Sequence, residues 1–521
     1  MRRNYSVLNA IAAVAMALCV SFGFQSCGQV DNPMEEVVNT VSEKTGATPE
    51  EVSALIQSAL SDEAVQQAIA SGDPIKINVS SSTSTSSSDQ TITIPMNDGL
   101  SVELTFTNGV STSDDNPLEF KAETGADADS GDSANQLTIA MPDITGLVIT
   151  IELPTTTVTL TTNGTSTVYK SVTAKTATNT LIVENGVTIK ELKVEGGTVL
   201  VKDGGSIETY VLESSDWDYN FLEVCDQGIY PKNLPEYNCV PELQDSNGDP
   251  YFASNLKIVK GKDGIKAGVL FYNDTQYPID KLTVESGITC QILPQLIAKK
   301  VEVIGGGTAT FNMVEKAHKD ESDIYHIWCG ASAPESISNV VFNKPDFYVD
   351  EENEDDPGVE VPNGATLQTT IGSINADLEN CTFNSECVEF GDWEEGGVTR
   401  NVTAKQTTFN GNLISINVPK DRETFKFTFE NCTFSTGCVI QLTKVKDPNS
   451  DAEFDYSTIE HPLTITLEFA SGAVDAIQNL LDLNSLKYFD GITNIDVFVK
   501  IGNTTYKVVD DGGLKLEEAN S

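Results

Sequence analysis

Between Leu181 and Val201 apolar and polar positions alternate in short bursts, LIVENGVTIKELKVEGGTVLV. Each unit is an apolar-x-apolar run, a short turn containing Gly, and another such run. Alternation with period two marks a strand with one buried face. The pattern returns at Leu282–Cys290, LTVESGITC, where Leu, Val, Glu, Gly and Thr match Leu181–Ile189. Val301–Phe311, VEVIGGGTATF, then resembles Leu192–Val201 with one glycine added. Strand, turn and strand in repetition predict a chain wound as a β-solenoid over residues 171–510, with coils of roughly 22–27 residues stacked about 4.8 Å apart.

Other patterns flank it. Thr48-Pro49-Glu50-Glu51 is a helix start, with a capping hydroxyl, a first-turn proline and acids at the positive end of the dipole. Val52, Leu55, Ile56 and Leu60 follow at helical spacing, and Ser61-Asp62-Glu63 opens a second short helix through Ile69. Residues 47–73 therefore read as a helical hairpin, after a tether over 27–46. Residues 74–170 hold alternating strands around the low-complexity run Ser80–Asp89. They fit a small separate β unit, the preferred reading, or the first irregular coils. Val474, Ile477, Leu480 and Leu481 lie at helical spacing and suit a cap on the last coil. Residues 511–521 read as a loose tail.

Ten cysteines mark the repeat. Glu379–Val388, ENCTFNSECV, and Glu430–Val439, ENCTFSTGCV, agree at seven of ten positions. Midway, Lys405–Ile414, KQTTFNGNLI, keeps Thr408 and Phe409 but has Thr407 and Leu413 for the cysteines. The copies thus recur every 25–26 residues, and Ser338–Phe342 is a distant one. A Cys381–Cys432 bond would have to skip the intervening coil, about 9–10 Å, whereas disulfides span at most about 7 Å between Cα atoms. The expected bridges are Cys381–Cys387 and Cys432–Cys438, with Cys225 and Cys239 able to pair across their loop. Free buried thiols are the alternative. Cys290 falls where Ile189 falls and is expected in the core, with Cys329 its partner only by elimination.

Arg2 and Arg3, the uncharged and mostly apolar Val7–Phe24, and Ser26 before Cys27 form an export signal over residues 1–26. The segment resembles a bacterial lipoprotein signal, which implies a lipid (a palmitate-bearing anchor) on Cys27. Gly28, with Asp31, Glu35 and Glu36 after it, resembles the tethers of surface-exposed outer-membrane lipoproteins. An uncleaved anchor or ordinary secretion is the alternative. Residues 171–510 resemble the single-stranded right-handed parallel β-helix of pectate lyases, polygalacturonases and many adhesins, on the strength of the Asn-Cys-Thr-Phe turns at Asn380 and Asn431. The expected fold is mainly β, a parallel β-helix preceded by the β unit and the helical hairpin.

The chemistry is sparse. Formal charge is −45. Beyond the leader the balance is 30 − 77 = −47, and Arg400 and Arg422 are the only arginines there. Such a field repels nucleic acid and anionic lipid, and bidentate clamps for phosphate or acidic polysaccharide are nearly absent. Arg400 and Arg422 lie 22 residues apart without matching acids. The motif set of polygalacturonases is missing, and Asp350–Asp356 reads as an acidic loop. His318, His326 and His461 are too scattered for a metal set. No cofactor is expected. Calcium is the one cation approached, by Asp127, Asp129 and Asp132 and by Asp245–Asp249, and both runs depart from the calcium-loop rule. Asp132-Ser133-Ala134 resembles a periplasmic O-glycosylation acceptor at Ser133. Asp216, Trp217, Asp218 and Tyr219 place rings beside carboxylates, which suits sugar contact, as Trp328 and Trp393 also do.

The expectation is a non-enzymatic lipoprotein, anchored in the outer membrane, exposed at the cell surface, and adhesive or binding a glycan or surface-protein partner. The alternatives are a carbohydrate-active β-helix enzyme and a structural spacer.

Overall fold

The computed structural model describes residues 49–519 apart from 61–74, 80–89, 95–99, 108–111, 123–134, 176–179, 215–220, 232–241, 272–278, 320–323, 344–346, 351–358, 361–365 and single or paired positions between. Among the described residues no helix is long and apolar enough to cross a membrane. The chain is mainly β, and its strands pair in parallel, one after another, in the arrangement of a solenoid. It divides into two compact units, residues 1–211 with 227–253, and 212–226 with 254–521.

In the first unit the strands alternate between two parallel ladders. One runs Ile75–Val79, Ser101–Phe106, Asn135–Met141, Thr156–Thr162, Thr180–Val183, Thr198–Val201 and Glu242–Asp245. The other runs Gln90–Ile94, Leu118–Ala122, Ile144–Glu152, Thr167–Ala174, Val187–Val194 and the strand from Ser206. Val158 pairs with Leu181, so the first ladder passes residue 171 with no change of pairing. The strands expected in a separate β unit are rungs of the same ladders, and the units divide at Val211 instead. Ser/Thr-rich composition hid this, because outward positions tolerate any polar residue.

Corners are legible in the burial pattern. Along Val187–Val194 the interior positions are Val187, Ile189, Leu192 and Val194, with Lys190 and Glu191 both outward. Two outward residues in succession shift the alternation by one, which lets the strand bend and still bury both halves. At the N-terminal side the helix Pro49–Leu60 buries Val52, Ile56 and Leu60, and the Thr93 amide donates to Ser53 Oγ at 2.7 Å. The second helix expected over Ser61–Ile69 lies outside the described residues.

Among its described residues the second unit has three long parallel ladders. The first holds Asn255–Val259, Lys281–Glu285, Lys300–Ile304, Ser336–Ser338, Asp377–Glu379, Val402–Lys405, Thr424–Glu430, Leu463–Phe469 and Ile495–Ile501. The second holds Phe221–Cys225, Lys266–Phe271, Thr289–Pro294, Ala309–Met313, Val340–Asn343, Thr382–Phe383, Thr408–Phe409 and Thr433–Phe434. The third holds Ile324–Gly330, Thr366–Ile374, Cys387–Phe390, Leu413–Asn417 and Val439–Thr443. From Ser336 to Thr443 the chain visits first, second and third ladder in turn.

One corner keeps the coils in step. Asn339, Asn380, Gln406 and Asn431 all adopt left-handed backbone, at φ 60°, 53°, 50° and 54°. Asn tolerates that conformation better than most residues. Three residues later, Phe342, Phe383, Phe409 and Phe434 form a stack, with successive ring centroids 4.7, 5.5 and 5.7 Å apart. Beside the rings, Asn384 Nδ2 donates to Asn343 Oδ1 at 2.6 Å and Asn410 Nδ2 to Asn384 Oδ1 at 2.7 Å. Each buried ring contributes about 2–3 kcal/mol and each stacked pair about 0.5–1.5 kcal/mol more.

The expected disulfides do not form. Cys290, Cys381, Cys387, Cys432 and Cys438 are free thiols. Cys381 points inward and its Sγ lies 3.5 Å from the carbonyls of Ile337 and Glu379, while Cys387 begins a strand of another ladder. Cys432 Sγ likewise approaches the Ala404 and Glu430 carbonyls, and Thr407 Oγ1 donates to Lys405 O in the coil between. What the copies share is a small side chain with a donor for the carbonyl two residues back, which Thr supplies as well as Cys. The second cysteines are not even equivalent, since Cys387 pairs with Leu413 and Leu413 with Val439, not Cys438. Burial pushes the Cys381 and Cys387 thiols up to about 12 and those of Cys432 and Cys438 to about 11, so they are poor exchange partners. Cys290 is fully buried, as expected. Cys239 lies outside the described residues, as do the side chains of Cys225 and Cys329.

The C-terminal end is closed by later chain. The helix Val474–Gln478 stops short of Leu480; residues 480–482 instead bond Ile440 on both sides, covering the edge of the third ladder. The helix Leu483–Asp490 buries Leu486 and Phe489. The residues expected to be a loose tail contain the strand Leu514–Glu518, antiparallel to Thr504–Asp510. A one-residue alternation such as LKLEE is too short to stand out from sequence.

Two outcomes follow from this packing. Alkylation of the denatured protein without reductant is expected to label Cys290, Cys381, Cys387, Cys432 and Cys438; protection of any of the last four would restore the bridges. Glu468 accepts from Lys426 and from Lys500, each at 2.9 Å, and these bonds hold its carboxyl below the usual carboxylate range. A depressed folded-state pKa stabilises the fold above the unfolded value of about 4.3, and the gain is lost as pH falls through the folded value. Glu468→Gln is therefore expected to cost about 1 kcal/mol at pH 7 and to show a smaller loss between pH 5 and 3 in urea unfolding than the parent. An equal acid loss in both proteins would contradict the assignment.

Candidate functional site

The outward row of the third ladder forms the floor of a groove of about 510 Å³ in the second unit. Register places Cys387, Leu413 and Val439 in one row and Glu389, Ser415 and Gln441 in the next. Asn417, paired with Thr443, closes the floor. Its Nδ2 donates to Glu389 Oε1 at 2.5 Å and to Gly391 O at 2.9 Å, and its Oδ1 accepts from Thr443 Oγ1 at 2.6 Å. Ser415 Oγ lies 2.9 Å from Thr443 Oγ1. The polar floor is thus fixed before any ligand arrives.

One wall is the excursion that carries Trp393. Gly391 and Gly397 bound it at φ 79° and 91°. A Cβ on Gly391 would lie 2.3 Å from Val398 N, and one on Gly397 would lie 2.7 Å from Asn417 O, so only glycine fits either place. Asp392 steadies the turn, accepting from Ser373 Oγ at 2.9 Å and from the Glu394 amide at 2.8 Å. The Trp393 carbonyl accepts from the Lys446 amide, and Lys446 Nζ sits 5.5 Å from the indole centroid.

The helix Leu483–Asp490 also lines the groove, presenting Tyr488 beside the buried Phe489. Lys444 Nζ lies 2.9 Å from Glu453 Oε2 and 4.7 Å from the Tyr488 ring centroid. Hydrogen bonds first to Glu453 and then to Tyr488 raise the Lys444 pKa, so its charge is held and shared. Trp393 is 36% exposed and Tyr488 46%, and with Ile265 they are the exposed large hydrophobic residues among those described. Exposed rings beside a floor of hydroxyl, amide and carboxylate can stack on the C–H face of a sugar while its hydroxyls meet the floor.

Of the residues singled out from sequence, Trp393 stands in this groove. Cys387 lines it as a thiol and not as half of a bridge. Cys27, Ser133, Asp127, Asp129, Asp132 and the Asp216–Tyr219 cluster lie outside the described residues. Asp245 is spent on a turn, accepting from the Asn247 amide at 2.8 Å, and Ser246 donates to Asp203 at 2.6 Å. Arg400 bonds Asp377 at 3.0 Å and Glu335 O, and Arg422 bonds the carbonyls of Thr399 and Thr424, so both tie one coil to another. His318 and His326 are register partners in an antiparallel strand pair, and His461 is bound to backbone carbonyls. Among the described residues no group of three or more His, Cys, Asp or Glu is placed to hold a metal.

Tyr488, Lys444 and Asn417 went unnoticed in the sequence. Glu389, Ser415 and Gln441 recur at the coil period on the outward parity, which was a usable signal. Tyr488 comes from a helix outside the repeat and left none. Compared with protein-family models, curated proteins and solved structures, the chain matches none.

Proposed function

We propose that the chain is a surface-exposed lipoprotein whose right-handed parallel β-helix binds glycans through this groove, without turnover. The observation that carries the reading is the exposure of Trp393 and Tyr488 in the lining of one groove with a preorganised polar floor. Aromatic rings gathered in one groove with polar groups suit contact with a sugar. Ordered parallel ladders support the β-helix, and right-handed crossovers are the rule for parallel strands. Lipid on Cys27 would hold the body at the outer membrane while its charge keeps it in water.

One feature favours an enzyme as the second reading. Glu389 and Glu453 line the same groove, and paired carboxylates are the equipment of glycoside cleavage. Glu453 is committed to Lys444 and Glu389 accepts from Asn417, which favours binding over proton transfer.

Affinity electrophoresis of the full chain in detergent, through gels containing a panel of polysaccharides, tests the reading. At least one gel is expected to retard the parent, and Trp393→Ala and Tyr488→Ala are each expected to weaken binding about tenfold, or ~1.4 kcal/mol. Reducing ends should not accumulate on prolonged incubation. Their release would replace binding by catalysis, and retardation unaffected by either substitution would move the site elsewhere.

A further inference from the structure

We infer that the groove selects uncharged glycans over acidic ones, an inference that rests on the glycan-binding reading above. The charges on the page decide it. Among the described residues the lining holds one cation, Lys444, and two carboxylates, Glu389 and Glu453. Lys444 is already paired with Glu453 at 2.9 Å, and Lys446, over the Trp393 ring, is paired with Glu394 at 3.4 Å. The two arginines beyond the leader are occupied, Arg400 by Asp377 and a carbonyl, Arg422 by carbonyls. No guanidinium is therefore offered to a uronate or sulfate, and the anion would enter a groove with one carboxylate in excess, on a chain of formal charge −45.

A neutral sugar meets none of these penalties. Its apolar face stacks on Trp393 or Tyr488, and its hydroxyls can exchange hydrogen bonds with Ser415, Thr443 and the carboxylate of Glu389 without bringing a charge. The lysine–carboxylate pairs act as a filter: each lysine stiffens an aromatic wall by cation–π contact, and each partner acid cancels the attraction that lysine would exert on an anion. Aromatic walls alone would not discriminate between the two classes.

The test uses the full chain in detergent and gels containing a neutral mannan, xylan or β-glucan, or polygalacturonate. At least one neutral gel is expected to retard the protein, with less than about a twofold change between low salt and 300 mM salt, because no net ion pair forms. Polygalacturonate should not retard the parent. Glu453→Gln, which leaves Lys444 uncompensated, is expected to gain several-fold in polygalacturonate retention at low salt. Stronger, salt-sensitive retention on polygalacturonate than on every neutral gel would overturn the inference and leave glycan binding standing. No retardation in any gel would overturn the glycan-binding reading itself. A Glu453→Gln protein with no gain on polygalacturonate would show that the pair is not the filter.

Discussion

The coils between Ser336 and Thr443 depend on like side chains stacking on like at one corner. A parallel ladder joins neighbouring coils about 4.8 Å apart, so a residue placed inward in one coil meets its counterpart in the next. The Phe342, Phe383, Phe409 and Phe434 rings and the Asn343, Asn384 and Asn410 amides are that contact made visible. A slip by one residue would turn every ring outward and break every amide bond at once. The left-handed residue that begins each corner, from Asn339 to Asn431, sets where the next ring falls.

With the inside fixed, the outside is free to differ, and the groove exploits that freedom. Its floor is simply the outward parity of the third ladder, and its hydrogen bonds run between coils, from Thr443 to Asn417 to Glu389. Its walls come from departures from the repeat. The glycine-bounded excursion lifts Trp393, and the capping helix supplies Tyr488. Residues 480–482, just before that helix, cover the last rung of the ladder, so closing the end of the unit and building one side of the site use one continuous segment. Lysines that ordinarily add solubility are here locked between an acid and a ring.

The repeat was readable because interior positions are strict. Phe383, Phe409 and Phe434 sit at one period, and Leu181–Val201 shows strand, turn and strand without disguise. Where the outward residues dominate composition the reading faltered, as in the Thr-rich strands before residue 171, which are ordinary rungs. The cysteines misled for a physical reason. Their joint appearance reported a shared need for a small donor under a tight turn, which Thr407 also meets, and an ungapped alignment concealed the one-residue shift that sets Cys438 before Val439. Of the site, Trp393 was legible as an aromatic among acids, whereas Tyr488 was not, because only the fold brings the capping helix over the ladder.

The central claim is that coils are interchangeable units locked by the corner stack, and removal of one coil tests it most directly. Asn384 and Asn410 are 26 residues apart and occupy the same place in successive coils. A protein lacking residues 384–409, with Phe383 joined to Asn410, should keep its β circular dichroism and melt cooperatively, at a lower temperature than the parent. A deletion of half that length from the same point should not fold. Loss of cooperative melting in the one-coil deletion, or equal tolerance of the half-coil deletion, would contradict the account.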